Sequence, residues 1–389
     1  MRTIPFLLLS VSALPIIGAN AALADEQLPI RATISSERHV TTNALDDALA
    51  VRDWYSVLRG TVEGDITHDL GSTKLFADGE LRRFDIFGIE NDAGAGLGSE
   101  TTLKINDALE LRGSLSFRHF SEGDALVVED LAIGTRTKKN TIAAGAAMGL
   151  RLTPTLVWTV DVSGFRELAG DTVFEDDLVD PFRLEPDRDR LRLQQALTRT
   201  DGPFAYGIRA TAERTVVKGL VTDGDIDVDR FALRGELGWQ QPGGMALAIA
   251  AGGEWLSASF DLIDAIRPSL EATASIPIGG FELRGTILAA FETDDTDDLL
   301  ASWVRRGQIE IGVPLAKSVA FSSGVFLERR DNLVLGYAED RRGIFGELGW
   351  KTSEHVTLVV RLDYRRDRAS EIDFSKDVVD ASIALRANL

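Results

Sequence analysis

Residues 109–120 read Leu-Glu-Leu-Arg-Gly-Ser-Leu-Ser-Phe-Arg-His-Phe. Leu109, Leu111, Gly113, Leu115 and Phe117 share one side of an extended chain, and Glu110, Arg112, Ser114, Ser116 and Arg118 share the other, because successive side chains of a strand point to opposite faces. A split this clean, with a period of two, describes a strand whose faces meet different solvents. The division returns in Phe231, Leu233, Gly235, Leu237 and Trp239 against Arg230, Arg234 and Glu236, and again in Val356, Leu358, Val360, Leu362 and Tyr364 against Arg361, Asp363 and Arg365. A half-buried soluble sheet can alternate as well. Number and length separate the two cases: about 16–18 such segments follow position 54, most longer than the ~5–6 residues of a mean soluble strand and long enough to cross a membrane at a tilt.

The connections alternate too. Tight turns stand at 106–107, 153–154, 201–202, 241–244, 278–280, 314–317 and 352–355, and between them lie looser, acidic stretches at 167–189, 217–227, 260–268, 292–299, 330–341 and 366–376. Short turns on one rim and long loops on the other are the habit of outer-membrane barrels. Sorting aromatics by height agrees. Trp158, Phe204, Trp239, Phe281 and Trp350 fall beside the tight turns, while Trp255, Phe291, Trp303 and Tyr364 fall near the other rim, all in the apolar phase. Such a girdle at each interface belongs to a membrane barrel. The expected fold is therefore all-β: a closed antiparallel transmembrane barrel of about 16–18 strands over residues 54–389.

The N-terminus reads as an export signal. Arg2 precedes an apolar stretch from Ile4 to Ile17, and Ala22-Leu23-Ala24 places small residues where a signal peptidase cuts. Residues 1–24 are thus expected to be removed, with Ala19-Asn20-Ala21 as a second cut site. Residues 25–53 lack sustained alternation and are expected to form a periplasmic segment or small plug, unless 31–40 makes a first strand. Beyond the N-terminus no apolar run approaches the roughly 20 residues of a spanning helix. The chain has 389 residues, 44% hydrophobic, no cysteine and a formal net charge of −19. Disulfides and thiolate metal sites are excluded, and nucleic acid is an unsuitable partner because binding a polyanion takes a basic stripe.

On these segments the chain resembles the porin-like outer-membrane barrels of Gram-negative bacteria, and among them the β-barrel porins that accompany exopolysaccharide loci in α-proteobacteria. The resemblance is one of pattern over residues 54–389. It implies an outer-membrane location, lipid and lipopolysaccharide as surroundings, the barrel-assembly machinery as a partner, and a hydrophilic solute or polysaccharide as cargo. In that family the last strand ends in an aromatic residue that serves as the assembly signal. Here Val379, Ala381, Ile383, Leu385, Ala387 and Leu389 keep the alternation but finish in Leu.

The inward phase carries both charges, with Arg59, Arg112, Arg118, Arg209, Arg234, Arg284, Arg306 and Arg361 against Glu110, Glu213, Glu236 and Glu310 among others. Charged rings in a pore select solutes by sign. The same charges could instead pair across neighbouring strands and brace the wall. On the apolar phase, Arg166, Arg214, Arg305 and Arg329 occur only near the long-loop end, where they would meet lipopolysaccharide phosphates or simply stand in water above the membrane. The acidic excess gathers in the outer loops, at Glu175-Asp176-Asp177, Asp180, Glu185 and Asp187 and at Asp294-Asp295 with Asp297-Asp298, where divalent cations could bridge carboxylates. Asp223, Asp225 and Asp227 resemble the start of a calcium loop, but no Gly or closing Glu stands at the required places.

An enzyme needs a base beside a nucleophile or an activated water. The only histidines are His39, His68, His119 and His355. None sits in a nucleophile-elbow or paired-His motif. The glycines of 94–98 read as a flexible loop, with no following helix to hold a nucleotide. No cofactor, metal or catalytic residue is expected. A barrel of that size points to a channel for hydrophilic solutes, to which the resemblance adds polysaccharide export, with a non-conducting barrel that displays acidic loops as the competing class.

Overall fold

A computed structural model describes residues 30–46, 50–128, 131–175, 179–219, 224–293, 301–370 and 374–389. The expected signal peptide, and the acids Asp176, Asp177, Asp223, Asp294, Asp295, Asp297 and Asp298, lie outside the described residues. The strands are β1 (Ile30–Thr41), β2 (Asp53–His68), β3 (Gly71–Phe84), β4 (Asp92–Lys104), β5 (Leu109–Val128), β6 (Leu131–Thr153), β7 (Leu156–Ala169), β8 (Val173–Phe174), β9 (Arg188–Asp201), β10 (Phe204–Val217), β11 (Ile226–Gln240), β12 (Ala246–Ala258), β13 (Ile263–Ile278), β14 (Phe281–Glu292), β15 (Ser302–Ala316), β16 (Val319–Asn332), β17 (Ala338–Lys351), β18 (Val356–Ala369) and β19 (Phe374–Asn388). β8 is a two-residue piece of the β7–β9 loop that pairs with β6. The other 18 strands form one antiparallel sheet, which closes where β1 pairs with both β2 and β19.

The barrel begins before position 54. Residues 30–41 are its first strand, and the segment joining β1 to β2 is the first loop on the long-loop rim. Ile30, where the described residues begin, and Leu389 lie at the other, tight-turn rim, where Leu389 N–H donates to Ala32 O and Asn388 N–H to His355 O. The turns there are short for a visible reason. Gly279 and Gly280 both take positive φ, 56° and 103°, the conformation of a two-residue hairpin turn whose twist matches its strands.

The pairing registers fix the size of the barrel. One circuit of the wall, strand by strand, returns to β1 displaced by about 22 residues. With strands ~4.8 Å apart and ~3.3 Å per residue, that stagger tilts 18 strands by about 40° and gives a backbone cylinder of about 18 Å radius. Its outer face is apolar: Leu58, Val62, Leu115, Ile142, Ile208, Leu233, Ile309, Val325, Ile344 and Val360 are all exposed. A water-soluble sheet would leave this whole band in contact with water, at ~25 cal/mol per Å². Hydrocarbon removes that cost.

Several strands run further toward the long-loop rim than their polarity pattern suggests. Ile263 to Pro268, Glu339 to Arg341 and Arg330 to Asn332 are strand rather than loop. Above the membrane both faces are wet, so hydrophobic contrast disappears while the hydrogen-bond ladder continues. The glycines of 94–98 are likewise in a strand. Gly94, Gly96 and Gly98 face inward on β4, where an added methyl would stand 2.6 Å from the Phe120 ring, 2.7 Å from the Asp78 carboxylate and 2.5 Å from the Phe76 ring. They are small because neighbouring side chains lie across them.

Candidate functional site

The inner wall is built by strand parity. Every residue one step from the exposed apolar row points into the lumen, and these are the charged residues of the alternating segments. Near the tight-turn rim they are open. Arg284 pairs with Glu282 at 2.6 Å and Glu310 at 3.7 Å while 58% exposed. Arg112 pairs with Glu110 at 2.6 Å. Arg361 pairs with Asp363 at 2.7 Å and Glu347 at 3.6 Å. A recess lined by Ser275, Glu282, Arg284, Glu310, Ser322 and Glu347 opens between them.

Toward the long-loop rim the inward charges are buried and knit together. Arg234 binds Glu254 and Glu271 and donates to Ser269 Oγ at 3.0 Å, and Arg230 reaches Glu254 at 3.3 Å. Arg209 binds Glu236. Glu328 accepts Arg306 at 2.5 Å, with Arg341 at 3.5 Å and Arg330 at 3.8 Å, and Arg330 reaches on to Glu292 at 3.1 Å. Asp46, from the β1–β2 loop, holds Arg365 at 2.5 Å and Lys376 at 2.9 Å, so Asp46 lies over the inner faces of β18 and β19. On the adjoining strands β1 to β3 Arg59 bridges Glu37 at 2.9 Å and Glu80 at 3.1 Å, and on β5 Arg118 lies over the Phe120 ring. His39, on β1, stacks on Tyr55 and sits between Asp380 at 2.9 Å and Glu37 at 3.2 Å.

The narrowing has a backbone cause. β14 and β15 stay paired up to Glu292↔Ser302, but β14 leaves β13 at Ala289. Residues 291–293 of this hairpin, with 301–303 beside them, bend into the lumen across the inner faces of β13, β12 and β11, and these two stretches are its described tip. Phe291 N–H donates to Glu254 Oε2 at 2.9 Å, and Thr293 Oγ1 donates to Glu213 Oε1, on β10, at 2.8 Å. Phe291 and Trp303 stack edge to face, 1% and 6% exposed, against the inward residues Val228, Leu256, Ala258 and Ile263. By parity these two aromatics belong to the lipid-facing row. They leave the expected outer girdle because the curled tip turns that row onto the inner wall. Trp255, 41% exposed and donating to Asp264 at 2.9 Å, and Tyr364, donating to Asp377, remain on the outside.

The twelve inward charges expected from the sequence thus fall into ion-pair groups, a stacked guanidinium and one hydrogen bond from the tip. Pattern reading missed His39, Asp46, Thr293 and Lys376. The outward arginines stand near the long-loop rim, each beside an acid: Arg166 with Asp189 at 3.5 Å, Arg214 with Asp227 at 2.6 Å, Arg305 with Asp331 at 2.8 Å, and Arg329 with Asp331 at 3.1 Å. Asp227 is therefore tied to the outer wall. His119 faces outward and bonds Asn140 at 2.9 Å.

No protein-family model and no curated protein sequence matches the chain. Solved structures do, at fold level. The outer membrane protein OpdK from Pseudomonas aeruginosa is similar with a TM-score of 0.50 and 11% identity, covering 92% of this chain and 99% of that one. The copper transporter OprC is similar with a TM-score of 0.57 and 9% identity, over 92% of this chain and 80% of that one. A ferric enterobactin receptor mutant from Pseudomonas aeruginosa gives 0.53 and 8%, over 93% and 82%. The chain shares with them the fold of a closed antiparallel β-barrel.

Proposed function

We propose that this chain is an outer-membrane channel that passes small hydrophilic solutes through a charged lumen and rests with its outer half narrowed. One observation carries the reading: an 18-strand wall with charges of both signs along its inner side. Eight-stranded barrels fill with side chains, whereas 16–18 strands leave room for water. Charges are cheap in such a lumen only if it is wet. The apolar outer band and the unequal rims support placement in the outer membrane of a Gram-negative bacterium, after removal of residues 1–24. Most guanidiniums near the tight-turn rim remain accessible, so a solute entering there meets Arg112, Arg284 and Arg361 with their acids.

Export of a polysaccharide, with an association with exopolysaccharide loci, is a more specific form of this reading. It requires the β14–β15 tip to leave the lumen, and a polysaccharide synthase encoded beside this chain would support it. A non-conducting barrel that displays acidic loops is the second reading, favoured by the buried ion pairs that occupy the outer half. Single-channel recording of the refolded barrel in planar bilayers separates them. Discrete conductance steps are the expected result. A barrel that is folded, by its heat-dependent gel migration, and yet electrically silent would favour display.

A further inference from the structure

The bend that narrows the lumen also leaves a gap in the wall. β13 extends from Ile263 to Ile278, yet its ladder with β14 runs only from Ile278↔Phe281 to Leu270↔Ala289. Above that point, among the described residues, β13 pairs with β12 alone. Residues 263–269 are therefore an edge within an otherwise closed barrel, and Pro268, which cannot donate to a ladder, is a residue of edges.

The height of this gap matters. A strand tilted by ~40° climbs about 2.5 Å per residue, so the gap starts about 20 Å above the tight turn and crosses the upper part of an apolar band ~25 Å tall. Ile266 stands in it, 78% exposed, paired with the interfacial Trp255. Directly behind lies the apolar cluster of Val228, Leu256, Ile263, Phe291 and Trp303, and Ala265 and Ala289, on the two lips of the gap, pack against it. The wall beside the cluster is cationic. Arg190, Arg192, Arg230 and Arg234 face inward on β9 and β11, with Glu213, Glu254 and Glu271 as the acids among them.

A hydrophilic solute gains nothing from an opening that faces hydrocarbon, and an apolar cluster in a charged lumen serves no such solute. Both suit a molecule that is apolar at one end and anionic at the other. We propose that the β13–β14 gap is a lateral port for an acyl-chain amphiphile with an anionic head. Its chain passes from the outer leaflet between Ala265 and Ala289 onto the apolar cluster, and its head meets the arginines of β9 and β11. The port requires only that the barrel spans a membrane. It does not depend on conduction.

The test uses the full mature barrel in lipid nanodiscs and a palmitate analogue with a photoreactive diazirine at the end of its chain, with labelled residues mapped by mass spectrometry. Labelling of the lumen-side residues Leu256, Ile263, Phe291 or Trp303 is expected, and a ~10-fold excess of unlabelled palmitate should lower it about tenfold by mass action. Ala265→Trp, which fills one lip, should abolish lumen labelling, while Ala251→Trp, on the outer face of β12, should leave it intact. Labelling confined to outward residues such as Ile266 and Leu327 would overturn the port, as would lumen labelling that excess palmitate does not reduce. If Ala265→Trp fails to fold, the competition experiment on the unaltered barrel still decides. Conductance recorded on the same preparation keeps the two proposals apart, because a barrel that conducts but is not labelled inside refutes the port alone.

Discussion

Thr293→Val removes one hydroxyl from the inward tip and keeps its shape. In the resting barrel that hydroxyl donates to the buried Glu213 at 2.8 Å. A hydrogen bond to a charged group contributes about 1.5–3 kcal/mol, so losing it should shift the ratio of curled to straightened tip by about 10–150-fold. The shift is visible only if the tip is closely balanced, and the structure indicates that it is. Among the described residues its two hydrogen bonds to the carboxylates of β10 and β12 contribute ~3–6 kcal/mol, and burial of Phe291 and Trp303 adds ~3–6 kcal/mol. Ordering residues 291–293 and 301–303 costs about 1–2 kcal/mol each, or ~6–12 kcal/mol in all. In single-channel recordings Thr293→Val should therefore spend far more time at a larger conductance level than the unaltered barrel, and Phe291→Ala with Trp303→Ala more still. A Thr293→Val barrel that folds normally and shows the same step size and open fraction would refute the tip as the element that narrows the lumen.

Three further outcomes test the wall. At Gly252 a methyl would overlap the carbonyl oxygen of Leu233 in the adjacent strand, whereas at Gly235 the nearest atom is 3.9 Å away; Gly252→Ala should lose about 1–3 kcal/mol of stability by urea titration in vesicles and Gly235→Ala almost none. Ile309→Arg puts a guanidinium in the middle of the outer face and should cost ~2–4 kcal/mol in the same titration, against ~0–1 kcal/mol for Ile266→Arg nearer the interface. Exchanging Arg166, Arg214, Arg305 and Arg329 together for Gln should reduce the lipopolysaccharide that co-purifies with the barrel, and unchanged retention would assign these residues to exposed ion pairs, each contributing ~0–1 kcal/mol.

The closed barrel was legible wherever one strand face meets hydrocarbon and the other meets water, since that contrast is what alternation records. It faded where the contrast fades. On β1 the outward row is Ala32, Ile34, Ser36, Arg38 and Val40, and Ser36 with Arg38 breaks it. Arg38 is tolerated because it lies over the Trp54 ring and binds Asp85. The strand tops above the membrane vanish from the pattern for the same reason. Parity alone assigns the twelve expected inward charges to one face of the wall. Their partners were not legible, since Arg234 reaches two strands away to Glu271 and Arg365 reaches a loop at Asp46. The tip could not be read at all. Phe291 and Trp303 obey the lipid-facing parity, and only a bend in the backbone, which no period of two reports, turns them inside.

The narrowed lumen and the gap in the wall are one conformation. Straightening β14 would extend its ladder with β13 beyond Leu270↔Ala289, bringing Ala290 opposite Ser269 and closing the gap as the lumen clears. Two ligands of opposite character would then compete through a single element. An amphiphile in the port favours the curled tip, and anything that straightens the tip expels it, by equal factors because coupling between binding sites is reciprocal. Palmitate added to a conducting bilayer should therefore lower the open fraction of the unaltered barrel. Thr293→Val, which already favours the straight tip, should need about 10–150-fold more palmitate for the same closure, the ratio by which its tip equilibrium has moved. Closure at the same palmitate concentration in both barrels would mean that the fatty acid acts on the bilayer, and that the tip does not link the two openings.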